Sequence, residues 1–255
     1  MNDRWDPVQY NRFAAEREQP FWDLAALVEP VERPVVVDLG CGDGRLTAGL
    51  HEMLGARHTL GIDSSAAMIA AAPAQPAEGL EFALGDLAAW EEPASVDVAF
   101  ANASLQWVPD HRAVLARWSE SLRPGGQLAV QVPANADHPA HTVAAELAAA
   151  LLAEPPPDPV AENVLAPEDY AVVLDELGFG DQHVRLQVYV HHLRSTREVV
   201  EWVKGTTLTR FKEPFGQEGW DRFVDLYRTR LLGVLGDRSP YLYPFKRILL
   251  WGRYS

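Results

Sequence analysis

The sequence predicts an α/β fold, namely a doubly wound, mostly parallel seven-stranded sheet with a helical cap or insertion near the C-terminus. Five apolar, β-forming segments alternate with amphipathic helical segments through the first half of the 255 residues. Such alternation with short loops favours right-handed βαβ crossovers and a parallel sheet covered on both faces. Two further strand candidates follow, separated by helical segments that interrupt this alternation.

The spacing of apolar residues predicts each element in order. In the first half, strands are predicted at 34–39, 57–62, 80–84, 95–101 and 126–132, and helices at 15–29, 45–54, 65–72, 110–122 and 138–153. Pro155 to Pro159 then favours an extended linker or surface loop. Beyond it, helices are predicted at 167–177, 196–204 and 217–235, and strands at 182–192 and 241–251.

The glycine-rich turn after the first strand is the most informative segment. Residues 35–44 contain three β-formers, then Asp38, and then Gly40, Gly42 and Gly44. A backbone without side chains allows a ligand to approach closely. The dinucleotide fingerprint requires a third glycine where Arg45 stands, and the Gly-Lys-Ser/Thr of a phosphate-binding loop is absent.

Two further acids follow predicted strands. Asp63 ends the second strand, and Asp86, followed by Leu87, comes directly after the third. A carboxylate at the end of the second strand of a nucleoside-binding sheet accepts from ribose hydroxyls. Any one of these acids alone is more often a helix N-cap or turn residue. The ordered set of Asp38, Asp63 and Asp86 favours a nucleoside cofactor.

Composition limits the other function classes. Residues 1–193 carry 10 Lys and Arg against 29 Asp and Glu, whereas residues 194–255 carry 12 against 7, and the whole chain has a net charge of −14. An acidic chain should not bind nucleic acid broadly. The single cysteine, Cys41, excludes an internal disulfide and a cysteine-based zinc cluster, and we expect no metal site. With no membrane-spanning run and no signal peptide, we expect a cytoplasmic protein without a membrane partner.

The Asp38–Gly44 loop is similar to the cofactor loop of class I S-adenosylmethionine (SAM)-dependent methyltransferases, which have a Rossmann-like fold. This resemblance implies SAM as the cofactor, with Asp86 at the adenine amino group and Leu87 covering the ring. It also implies an antiparallel pair of strands six and seven at one edge of the sheet. The implied cofactor residues are Asp38, Gly40, Cys41, Gly42, Gly44, Asp63, Ser64, Asp86, Leu87, Asn102 and Gln106.

Three more segments resemble the trans-aconitate 2-methyltransferases across nearly the full chain. They are Asp6 to Phe13, Phe100 to His111, and Val200 to Gly205 followed by Arg210. The resemblance implies esterification of a small di- or tricarboxylic acid, trans-aconitate first, giving a monomethyl ester and S-adenosylhomocysteine. A malonyl thioester or a natural-product hydroxyl remains an alternative acceptor, and so does a SAM-binding protein without turnover.

The expected acceptor residues are cations and aromatic walls. A carboxylate is already ionised at neutral pH, so no general base is required and no catalytic residue is assigned. Arginine binds both oxygens of a carboxylate through its planar fork. The candidates are Arg12, Lys204, Arg210 and Arg247 as anchors, and Tyr10, Trp107 and Tyr243 as walls.

Each candidate has an ordinary structural alternative. Arg210 is equally well explained as a surface arginine paired with Glu213, and Lys204 as a favourable charge in the last turn of a helix. Arg247 is also compatible with a snorkelling role on a strand face. We divide the chain into a SAM-binding core with an N-terminal arm (1–193), a helical substrate-side insertion (194–237) and a final strand that returns to the sheet (238–255). The oligomeric state stays open.

Overall fold

A computed structural model describes residues 14–74 and 76–255 of the chain. The strands are β1 Val35–Leu39, β2 His58–Asp63, β3 Leu80–Leu84, β4 Val96–Asn102, β5 Leu122–Pro133, β6 Phe179–Leu193 and β7 Tyr241–Tyr254. The helices are α1 Ala14–Ala25, α2 Arg45–Leu54, α3 Ala66–Ala71, α4 His111–Glu120, α5 Pro139–Leu151, α6 Pro159–Asn163, α7 Pro167–Glu176, α8 Arg197–Lys204 and α9 Lys212–Leu235. Two short 3-10 helices cover Leu105–Trp107 and Thr207–Phe211.

All seven strands form one sheet in the order β3-β2-β1-β4-β5-β7-β6. Neighbours among β1 to β5 are parallel, whereas β7 is antiparallel to both β5 and β6. The predicted doubly wound, mostly parallel seven-stranded sheet is therefore confirmed, together with its antiparallel pair at one edge. Only β7 is reversed, and β6 is the edge strand.

Helices cover both faces of the sheet, which explains why its central strands are continuously apolar. On one face, Trp118 of α4 and Tyr170 of α7 are fully buried against the sheet. On the other face, Phe21 of α1 and Leu50 of α2 pack on the same strands. The carboxyl ends of β1 to β4 remain available for a ligand, as expected for a sheet of this type.

A separate apolar cluster holds the segment between β6 and β7. This cluster contains Trp202 of α8, Phe211 of the second 3-10 helix and Tyr227 of α9. These side chains pack with α5 and with the first residues of β7. The segment is thereby fixed beside the sheet by its own core.

Several boundaries differ from the predicted ones. Strand β5 begins at Leu122 instead of 126, because residues 123–126 form an irregular part of the strand, with Gly125 at φ +79° and a register shift against β4. Helix α1 ends at Ala25 instead of 29, and α9 begins at Lys212 instead of 217, with a bend at Gly216.

The proline run is not wholly extended. Its last residue, Pro159, starts the short helix α6, and the side chain of Asp158 caps that helix by accepting from Val160 N at 3.0 Å. An Asp-Pro pair of this kind is a known helix-start signal, because Pro suits the first helical position. None of the described helices is long and apolar enough to cross a membrane.

Candidate functional site

A cavity of about 620 Å³ lies at the carboxyl ends of β1 to β4, and we call it the large cavity. The loop after β1, the ends of β2 and β3, and the segment from Asn102 to Val108 form its walls. Among the predicted cofactor residues, those that line it are Asp38, Gly40, Cys41, Gly42, Asp63, Ser64, Asp86, Leu87 and Asn102. Residues far apart in sequence are thus brought together as the strand order requires.

The glycine turn is shaped by close backbone contacts. Gly40 has φ +91°, and a Cβ there would lie 2.2 Å from the Cβ of Ser104. Ser104 Oγ donates to the carbonyl of Leu39 at 2.5 Å, which holds that approach in place. Gly42 N donates to Asp63 Oδ2 at 2.9 Å, and a Cβ at Gly42 would meet nothing within 4 Å. Position 42 therefore leaves open space beside the backbone.

Two buried polar groups in this cavity suit a cationic ligand group. Burial raises the pKa of Asp38 to about 7, although the hydrogen bond from Thr47 Oγ1, at 2.6 Å, opposes the rise and the nearby charge of Asp63 adds to it. The Oδ1 atom of Asn102 is buried and has no hydrogen-bond partner among the described residues. An ammonium group beside these oxygens would stabilise the ionised form of Asp38.

The end of β3 supplies a flat, partly apolar wall. Asp86 Oδ1 accepts from Ala88 N at 2.9 Å, which holds the turn that presents Leu87. Leu84 lines the same cavity and is 62% exposed, and a bound aromatic ring would cover part of this apolar surface. The large cavity therefore fits an adenosyl group with an attached amino acid.

A second cavity of about 70 Å³, which we call the small cavity, adjoins the first. Ala103 and Trp107 line both cavities, so the two spaces are neighbours across these side chains. The remaining walls come from Gln106, Pro133, α5, the start of α6, α8, the Thr207–Phe211 helix and β7. The segment between β6 and β7 thus borders the small cavity, which lies at the same end of the parallel strands as Gly40.

Two buried arginines line the small cavity. Arg210 is only 6% exposed, and its NH1 lies 3.1 Å from Asp158 Oδ2. None of its three guanidinium nitrogens makes a well-aligned hydrogen bond to any described residue. Arg247 is equally buried and donates from NH1 to Gln131 Oε1 at 2.9 Å. Both guanidinium groups line the cavity and carry a positive charge, so they are suited to bind an anion.

A histidine–aspartate pair completes the polar wall. His141 Nδ1 lies 2.9 Å from Asp158 Oδ2, and both side chains are buried. Burial alone would raise the pKa of Asp158, but the His141 contact and the charge of Arg210 lower it to about 2. Asp158 is therefore ionised throughout the neutral range.

Comparison with known proteins places this geometry in a family. Residues 36–126 match the family model of the methyltransferase domain. A trans-aconitate 2-methyltransferase of Deinococcus radiodurans is 42% identical over 253 residues, covering 96% of this chain and 96% of that protein. A protein of the same name from Mycobacterium sp. (strain KMS) is 36% identical over 259 residues, covering 98% and 99%.

The chain belongs to the trans-aconitate 2-methyltransferase family. It is a SAM-dependent methyltransferase, with S-adenosyl-L-methionine as its cofactor. The fold agrees with a solved structure of phosphoethanolamine N-methyltransferase 2 from Haemonchus contortus, in complex with phosphomonomethylethanolamine and S-adenosylhomocysteine. That structure has a TM-score of 0.57 and 17% identity, and the match covers 93% of this chain and 52% of that chain.

The remaining predicted residues differ in whether they line a cavity. Gly44 precedes α2 and faces the ring of Phe82, outside the large-cavity lining, and Gln106 lines the small cavity. Arg210 is not a surface residue paired with Glu213, because it is buried beside Asp158. Trp107 lines both cavities.

Lys204 and Tyr243 do not line the small cavity. Lys204 Nζ lies 3.7 Å from Glu201 Oε2 and is partly exposed, as expected in the last turn of a helix. Tyr243 is fully buried behind the wall, with its ring packed on His138 and Trp202. Tyr10 and Arg12 fall outside the described residues.

Sequence reasoning missed several lining residues of this methyltransferase. In the large cavity these include Phe21, Met68 and Ser104, and in the small cavity they include His141, Asp158 and Thr207. Only Asp158 had a local signal, its position before Pro159, and that signal indicates a helix start and not a ligand site. The other side chains reach the cavities through tertiary packing.

Proposed function

We propose that this enzyme transfers the methyl group of SAM to a carboxylate of trans-aconitate, giving a monomethyl ester and S-adenosylhomocysteine. The observation that carries the proposal is the pair of buried arginines, Arg210 and Arg247, in a cavity that shares two walls with the cofactor-sized cavity. The names of the curated relatives point to the same acid.

The large cavity would hold the cofactor through groups of complementary charge. We infer that Asp63 accepts from the ribose hydroxyls and that Asp86 contacts the adenine amino group. Asp38 and the Oδ1 of Asn102 would face the ammonium of the methionyl part, since both are buried acceptors that line this cavity. When bound, SAM supplies an electrophilic methyl group on a sulfonium.

The small cavity would anchor the acid and direct one carboxylate toward Trp107 and Ala103. A tricarboxylate has two carboxylates that do not react, and Arg210 and Arg247 supply one guanidinium for each. The reacting carboxylate is ionised at neutral pH and needs no base. Holding it in line with the sulfonium is worth up to about 7–11 kcal/mol of the barrier. Trp202 and Phe245, also in the lining, would help to exclude water.

The size of the small cavity favours a compact acceptor over a large one. At about 70 Å³ it is far below the roughly 300–1,000 Å³ of pockets that enclose drug-sized ligands. A bulky natural product would not be enclosed there. Two arginines also exceed what a single malonyl carboxylate requires.

A substrate panel tests the proposal directly. S-Adenosylhomocysteine formation is measured with trans-aconitate, its trimethyl ester, a malonyl thioester and a simple phenol. We expect turnover with trans-aconitate and none with the trimethyl ester, and the monomethyl product is identified by mass spectrometry. The matched control is Arg230→Gln, an exposed arginine on α9 that lies near Glu146 and should leave turnover unchanged. Turnover of the thioester or the phenol without turnover of any polyacid would contradict the proposal.

A further inference from the structure

The small cavity carries a carboxylate in its wall, which is unexpected for a site that binds an anion. Asp158 lines the cavity beside Arg210, and its side chain is only 9% exposed. Because Asp158 is ionised at neutral pH, its fixed negative charge weakens the attraction of the cavity for any other carboxylate. The purpose of Asp158 is therefore something other than acceptor affinity.

Asp158 is held in one position by two partners of its own. Its Oδ1 accepts from Val160 N at 3.0 Å, which caps helix α6, and its Oδ2 lies 2.9 Å from His141 Nδ1. An ionised carboxylate only accepts hydrogen bonds, so His141 Nδ1 is the donor in this contact. Both carboxylate oxygens are thus fixed by the protein itself.

Arg210 is restrained on one edge by Asp158 and on one face by an aromatic ring. Its NH1 lies 3.1 Å from Asp158 Oδ2, and its Cζ lies 4.4 Å from the centroid of the Phe211 ring. Stacking on an aromatic face fixes the plane of a guanidinium group. Within that plane, the ion pair with Asp158 selects the edge that points away from the carboxylate.

The edge that remains is the one suited to bind a carboxylate. The Nε and NH2 atoms of Arg210 have no hydrogen-bond partner among the described residues, and together they form the side fork of the guanidinium. Such a fork binds both oxygens of a carboxylate through two parallel N–H groups. Arg210 therefore offers an anion a defined orientation as well as a positive charge.

We propose that Asp158 is a positioning residue that determines which carboxylate of the acceptor is methylated. This inference rests on the proposed function. By holding NH1, Asp158 directs the Nε/NH2 fork of Arg210 at one carboxylate, which sets the direction of the carbon chain in the cavity. A different carboxylate then reaches Ala103 and Trp107, where the small and large cavities meet. Asp158 acts through Arg210 and takes no part in the methyl transfer.

Asp158→Asn tests this role because it removes the charge and keeps the helix cap. Asparagine is as good an N-cap as aspartate, so α6 should stay in place. While the amide oxygen caps α6, the amide nitrogen replaces Oδ2 and faces the NH1 donor of Arg210. Two donors repel each other, so the guanidinium should turn and its fork should adopt other orientations.

The measurement is the identity of the ester. Trans-aconitate has three different carboxylates, so three monomethyl esters can form, which chromatography separates and NMR identifies. We expect one ester from the wild type and a mixture from Asp158→Asn, in which the main ester falls toward about a third as the orientations become equal. The kcat for the main ester should fall about threefold without a rise in KM, because Arg210 keeps its charge.

Two further variants complete the experiment. Asp225→Asn is the matched control, since Asp225 is also paired with an arginine, Arg228, but lies on the exposed surface of α9. It should give the ester and the KM of the wild type. Asp158→Ser also keeps a helix-capping oxygen but has no group to hold Arg210, so it should give the same mixture as Asp158→Asn. Calorimetric binding of S-adenosylhomocysteine shows that each variant is folded.

The distribution of esters decides the matter. A single, unchanged ester from both Asp158 variants would overturn the inference, because a loss of activity alone indicates a purely structural role. A wild-type enzyme that already forms a mixture would overturn it as well, and the proposed function would then stand. If the wild type methylates no polyacid, the proposed function fails, and the inference fails with it.

Discussion

Replacing Arg210 by alanine should weaken acceptor binding without affecting the cofactor. Arg210 is 6% exposed and its NH1 lies 3.1 Å from Asp158 Oδ2, whereas Nε and NH2 have no hydrogen-bond partner among the described residues and are available to an anion. A hydrogen bond to a charged group contributes about 1.5–3 kcal/mol, which corresponds to about a 10- to 150-fold rise in KM for trans-aconitate. Removal of one partner from a buried ion pair costs about 3–5 kcal/mol of folding stability, and we expect the lower end because His141 still contacts Asp158.

The assay compares an acceptor with three free carboxylates and an acceptor with two. KM is measured for trans-aconitate and for its monomethyl ester, and SAM affinity is measured by calorimetry. Lys204→Ala should cause a much smaller change, because Lys204 lies beside Glu201 and outside the small-cavity lining. Equal losses for the acid and the ester, or a parallel loss of SAM affinity, would refute a role for Arg210 in binding a carboxylate.

Three further predictions concern the large cavity. Asp63→Ala should weaken SAM binding by about 1.5–3 kcal/mol in calorimetry, and an unchanged affinity would remove Asp63 from the ribose site. Because burial raises the pKa of Asp38 to about 7, SAM affinity should fall by up to about tenfold per pH unit below pH 7, a slope that Asp38→Asn should flatten. Without ligand, the pH dependence has the opposite sign. The folded protein holds a proton on Asp38 up to about pH 7, whereas the unfolded chain releases it near 3.8, the ordinary pKa of an aspartate. Stability therefore falls as pH rises from about 4 to 7, which is visible as a falling Tm. Gly40→Ala should abolish SAM binding, because the added Cβ would clash with Ser104. The control Gly233→Ala lies in a helix with open space around it, so it should be tolerated or should stabilise the protein by up to about 1 kcal/mol. If the two variants bound SAM equally well, the clash at Gly40 would be contradicted.

The cofactor half of the fold is predictable because its signals are local. Each strand from β1 to β4 is short and largely apolar, a glycine directly follows β1 and β3, and Asp63 is the last residue of β2. Parallel strands bring their carboxyl ends to one edge, so a residue at the end of a strand or just after it lies at that edge as well. Asp38, Asp63 and Asp86 reach the large cavity for this reason.

The small cavity is less predictable because its lining residues share no local sequence pattern. His141, Asp158 and Arg210 come from three separate elements, and their contacts depend on how α5, α6 and the Thr207–Phe211 helix pack. From sequence alone, a buried arginine and an exposed one look identical. The proline run was expected to be an extended linker or surface loop, yet its residue Asp158 lines the small cavity.

The position of β7 between β5 and β6 has a consequence for biosynthesis. In the sheet order, β6 touches the other strands only through β7, although β7 is made about 50 residues later. Until β7 pairs with β5, β6 cannot join the sheet. The small cavity also lacks Arg247, which is part of β7, until then. Contacts between distant segments of this kind form late, because long loops must close first. On the ribosome, the part of the chain that lines the large cavity should therefore take shape from one continuous emerging stretch, whereas the small cavity, which needs β7, should assemble only in the last folding step.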